Sequence, residues 1–246
     1  MAKQYIDFIS AYCDSWCERC AFTQRCSHFA VTSALGMCDG DLDAAIELAL
    51  GRPQEAGGKP QKKLRERMAE AFAGYEEPSK QELDAIGREM GARRARVERH
   101  PLSQASFDYS VAGGRWFEQR ESGGEPGTAI RESVEIIQRD LFFIHVKIVR
   151  ALDGKDEDPK GRFWQSRVQN DWNGSAKVAL ISIERSERAW RDVAASLGDE
   201  AATVLADSLG NLRRGMNREF PRAMEFRRPG FDDPRSDVAR NRPRHT

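Results

Sequence analysis

Four cysteines stand within fourteen residues, Cys13, Cys17, Cys20 and Cys26, spaced C-x3-C-x2-C-x5-C, and His28 follows two positions later. The chain has 246 residues and only five cysteines, so Cys38 alone lies outside the cluster. Thiolates are soft ligands, and this donor set suits an iron–sulfur cluster or a zinc ion. In a reducing compartment stable disulfides are rare, which favours ligation over cross-linking. Cys38, in the turn-like stretch Gly36 to Gly40, reads instead as a small buried residue.

Spacing separates the metal options. Ile6, Ile9, Cys13, Cys17 and Cys20 fall at helical offsets, and a plain helix with cysteines on its core face is the simplest alternative to a site. In an unbroken helix Cys13 and Cys20 would lie about 10.5 Å apart along the axis. Sulfurs around one tetrahedral zinc lie only about 3.8 Å apart. Either the segment leaves helix near Asp14–Ser15, or it serves a larger object such as a cluster. Cys13, Cys17, Cys20 and Cys26 are then the expected ligands of an iron–sulfur cluster, with zinc as the alternative and Trp16 and Phe22 as shielding. Cys17-x2-Cys20 also suits a zinc knuckle, and His28 is a substitute ligand.

Cys13-x3-Cys17-x2-Cys20 resembles the cluster-binding motif of the radical S-adenosylmethionine enzymes, and Gly123-Gly124-Glu125-Pro126 resembles their GGE segment. The resemblance implies a cluster on three cysteines, with an open iron for the cofactor's methionine part. Arg19 stands where that family usually has an aromatic residue, and its barrel needs alternating strands and helices. No Walker loop, GxSxG elbow, strand-following GxGxxG or Glu-x-x-His pair occurs, which leaves nucleotidase, hydrolase and di-iron readings without residues.

The elements that must position the cysteines read as helices. Asp39 or Asp41 caps a helix over 42–50, stopped by Gly51-Arg52-Pro53, and 51–61 reads as a linker. Segments 62–72 and 81–99 show helical spacing, with Ser79 and Glu82 forming a capping box. His100-Pro101 ends that helix, and the aromatic- and glycine-bearing stretch 101–127 reads as an ordered loop. Residues 128–152 carry the strongest periodicity, with Thr128 as N-cap and Ile130, Val134, Ile137, Leu141, Ile144 and Ile148 on one face. A second long helix covers 163–197, starting near Asp171 or Asn173, with the small-residue stripe Ser175, Ala179, Ser182, Ser186 and Ala189. Glu184–Arg188 and Glu187–Arg191 read as solvated pairs, and Glu200 to Met216 as one more helix.

These readings give a mainly α fold, an antiparallel helical bundle with an N-terminal cysteine-rich metal-binding segment and a disordered C-terminal tail. The expected organisation is a single helical domain over 1–226, with the cysteine-rich segment at 1–40, short helices and loops at 41–127, a long-helix core at 128–217, and the tail at 227–246. Lys plus Arg and Asp plus Glu each number 39, so no global field recruits nucleic acid or anionic membrane. The absence of a signal-like or membrane-length apolar run leads to a cytoplasmic expectation. The expected function is a soluble iron–sulfur protein in redox or electron transfer with a protein redox partner. The alternatives are a binding or scaffold module with structural zinc, and a radical S-adenosylmethionine-type enzyme.

Overall fold

The computed structural model describes residues 5–51, 64–120, 127, 129–158 and 166–232. Among them no strand occurs, and the chain is mainly α. Read above as one domain over 1–226, the chain forms two compact units: residues 1–84 with 228–246, and residues 85–227.

The larger unit is organised on α8 (Asp171–Leu197), which packs against α6 (Arg131–Asp140), α7 (Phe143–Glu157) and α9 (Glu200–Glu219). Helix α5 (Pro101–Glu118) lies against α7 and α9. The Asn170 side chain caps α8 by accepting the Asn173 N–H at 2.9 Å, and Gly198 ends it in a left-handed conformation. The small stripe Ser175, Ala179, Ser182, Ser186 and Ala189 is buried in this packing, beside Ile137, Ile144, Ile183, Trp190 and Leu209. Asp140, wholly buried, accepts from Arg185 Nε and from Ser186 Oγ at 3.0 Å, so its charge is paired within the core.

Three sequence expectations change here. Residues 101–118 form a helix, not a loop. Pro101 occupies the first helical position, and His100 Nδ1 accepts the Leu102 N–H at 3.2 Å. Gly113 is a packing glycine, since a Cβ there would lie 2.4 Å from Leu141 Cδ1. The helix read over 128–152 is two helices that part at Leu141–Phe142, where the Leu141 carbonyl accepts the Ser110 hydroxyl of α5 at 2.7 Å. Glu187, expected on a solvated face, is 2% exposed and holds Arg191 and Arg213. Thr128, the 123–126 segment and the linker from 52 onward lie outside the described residues.

In the smaller unit, α1 (Ser27–Met37) packs on α2 (Leu42–Leu50), while α3 (Leu64–Phe72) follows. Asp41 caps α2 by accepting the Ala44 N–H at 3.1 Å, and Gly51 ends it with a positive φ of 80°. The capping box opens α4 (Lys80–Arg99), with the Ser79 N–H donating to Glu82 at 2.8 Å and the Glu82 N–H to Ser79 Oγ at 3.3 Å. The start of the expected disordered tail is folded. Arg228 pairs with Asp232, and the Phe231 ring meets Phe22 edge-on at 5.0 Å. Residues 233–246 lie outside the described residues.

Candidate metal centre

The cysteine segment is not one helix. It is three single-turn 3₁₀ pieces, Ile9–Tyr12, Cys17–Arg19 and Thr23–Arg25, followed by α1. The chain leaves helix at Cys13, which is extended, and Ser15 takes a positive φ of 57°. Repeated 3₁₀ turns keep the offsets of three and four that looked helical. The break in helix over 13–15 removes the obstacle that a straight helix posed to convergence.

Each of the four cysteines sits at a turn boundary. Cys13 closes the first turn, Cys17 opens the second, Cys20 ends it, and Cys26 is the N-cap of α1. All four line one cavity of about 400 Å³, with Ile9, Trp16, Phe29 and Phe231 as its apolar wall and Asp14 and His28 also at its lining. Cys38 does not line it; that cysteine caps the far end of α1 and is half-buried, not the buried small residue expected. Trp16 stands in the lining, with the Arg19 guanidinium 4.2 Å over its ring. Phe22, expected as shielding, is not in the lining; it packs edge-on against Phe231, which is.

Three of the sulfurs accept backbone N–H groups, each at 3.4 Å: Ser15 to Cys13, Phe22 to Cys20 and Phe29 to Cys26. Burial pushes the Cys20 thiol up, the Phe22 N–H opposes the rise, and neighbouring Cys13, Asp14 and Cys17 reinforce it. Cys13 and Cys17 therefore lie near enough to Cys20 to disfavour its ionised form.

Among the described residues, no group of three or more His, Cys, Asp or Glu side chains is set to hold a metal ion. The four sulfurs share a cavity without meeting in one ion's coordination sphere. His28 is solvent-exposed at the cavity's edge.

The larger unit holds a second cavity of about 860 Å³ between α4, α5 and α7. His145 lies in its lining with Nδ1 2.8 Å from the buried Ser106 hydroxyl and its ring edge-on to Phe107. Burial holds this imidazole below its ordinary pKa, although the Ser103 carbonyl works the other way. His145 falls beside the apolar face of the helix read over 128–152, and the loop reading of 101–127 gives no sign of a cavity there.

Among the described residues no helix is long and apolar enough to cross a membrane. No protein-family model, curated protein or solved structure matches this chain, so its assignment rests on its own residues.

Proposed function

We propose that Cys13, Cys17, Cys20 and Cys26 hold an iron–sulfur cluster and that the protein works in redox or electron transfer with a protein partner. One observation carries the reading: four cysteines from three successive turns line a single cavity, while the fifth is not in its lining. The donor set fits, being four thiols, three of them supplied with backbone N–H donors, inside a partly apolar wall.

A cluster bound there supplies one-electron transfer. With four cysteines available as ligands, no coordination position is left for a substrate, so an electron carrier is favoured over a radical S-adenosylmethionine enzyme. Among the described residues there is also no strand from which that family's barrel could be built. The protein residues set the environment: Trp16, Phe29 and Phe231 limit water, and the N–H donors offset thiolate charge. Thiols kept reduced for this role fit a cytoplasmic setting. The helical arrangement fits a bundle whose long helices serve as a scaffold.

Structural zinc is the second reading, favoured by the Cys17–Cys20 turn. There the Cys20 N–H bonds to the Cys17 carbonyl at 3.2 Å and the Phe22 N–H to Cys20 Sγ at 3.4 Å, a knuckle-like arrangement. Anaerobic purification of the full chain separates the two. About four irons with matching acid-labile sulfide per chain are expected. A colourless protein carrying one zinc transfers the site to the second reading, and metal content unchanged by Cys17→Ser removes both.

A further inference from the structure

We infer that α4 is a homodimerisation helix that pairs antiparallel with α4 of a second copy of this chain. Its apolar residues Leu83, Ile86 and Met90 are 53%, 52% and 58% exposed, although they continue the stripe that buries Val97 further along. The C-terminal half of α4 is tied down by Val97 and by ion pairs from Arg93 to Asp153 and Glu157 and from Arg96 to Asp156. Residues 83–90 carry the exposed part of the stripe.

Beside that stripe runs a second one, Lys80, Asp84, Gly87, Gly91, Arg94 and Glu98, stepping by four and three residues along one helix face. Glycine is the costliest ordinary residue in a helix interior. Yet a Cβ at Gly87 or Gly91 would meet nothing within 4 Å, so packing within the chain does not require either glycine. Paired small residues four apart let two helix backbones approach closely.

The charges along this stripe specify the occupant. From one end they read plus, minus, Gly, Gly, plus, minus; from the other end every sign is reversed. Laid antiparallel about a two-fold axis at Glu89, one copy sets Lys80 opposite Glu98, Asp84 opposite Arg94 and Gly87 opposite Gly91. The second half of the contact repeats these pairs by symmetry. A parallel pairing in register would oppose like charges throughout. Arg94 and Glu98 pair with each other in the single chain but are 81% and 60% exposed, so both remain accessible to a partner helix. A single helix pair is a small interface, and the association is therefore weak and salt-dependent.

Sedimentation velocity of the full chain, in reducing low-salt buffer over a concentration series, tests this. The wild type is expected to pass from monomer to dimer, with weaker association at high salt. Asp84→Arg and Arg94→Asp should each weaken the dimer roughly tenfold by opposing like charges, while the double variant restores it. Gly91→Leu removes a helix-weakening glycine, so the fold survives, and it should abolish the dimer by blocking close approach. A wild type that stays monomeric throughout overturns the inference. So does a dimer that tolerates Gly91→Leu, or charge variants that the double exchange fails to rescue.

Discussion

The two units solve the problem of stability differently. Residues 85–227 bury a continuous apolar core that includes Ile137, Ile144, Ile148, Ile183, Trp190, Leu209 and Met216. In the smaller unit the buried apolar residues among those described are Ile9, Phe22, Ala34 and Ala45. Two of these are alanines, so little apolar area leaves water. Small units with thin cores usually need a metal or cross-links. The larger unit has a continuous apolar core, whereas the smaller one has four half-buried thiols lining a cavity.

Metal removal should expose this contrast most strongly. A structural metal in a small site contributes on the order of 10 kcal/mol to folding. Stripping the metal, or changing Cys17 and Cys20 to Ser, should free the amides of residues 5–50 to hydrogen exchange. Those of α8 and α9 should stay protected. Joint loss of protection in both units, or none in either, would break the comparison.

Cavities in the larger unit should act in the opposite sense. Ile183→Ala or Trp190→Ala should cost about 3–5 kcal/mol in the unfolding of that unit, with metal content unchanged. Trp190 also donates to the Tyr109 hydroxyl at 2.9 Å. Burial holds that phenol far above its ordinary pKa although the Trp190 bond works against the rise, so Tyr109 stays neutral. Asp140→Ala should follow, at about 3 kcal/mol by thermal or denaturant melt, because Arg185 and Ser186 lose their buried acceptor.

Much of the helical content was legible from local signals. Asp41 and Gly51 bound α2 where their residue types place them, and Ser79 with Glu82 opens α4. What stayed hidden depended on tertiary contact. Gly113 looks like loop composition until Leu141 is seen against it, and the break after Asp140 follows from a hydroxyl thirty-one residues away. The cysteine cluster was legible as a donor set, but its 3₁₀ turns imitated helical spacing. A break near Asp14–Ser15 was one of the two ways to meet the spacing, but the positive φ of Ser15, an unfavourable residue for that conformation, was not legible.

A smaller effect sharpens the account of the larger unit. Asp199 caps α9 by accepting the Ala201 and Ala202 N–H groups, and it also accepts from Trp116 Nε1 at 2.7 Å. Burial alone would raise its pKa; Trp116, the two N–H groups and Arg120 outweigh it and hold the carboxyl below its ordinary value. Its stabilisation is therefore present above about pH 4 and is lost as pH falls through the lowered folded-state value. Asp199→Ala should cost about 1–2 kcal/mol at neutral pH. Asp199→Asn should retain part of the cap and flatten the acid limb of the stability curve.

The most direct test of the central claim is X-ray absorption at the iron edge on anaerobically purified full chain. Four sulfurs around each iron with a short iron–iron neighbour are expected, and both signals should vanish in a variant with Cys13, Cys17, Cys20 and Cys26 all changed to Ser. Iron at background level, or an iron signal that survives loss of all four cysteines, would contradict the account.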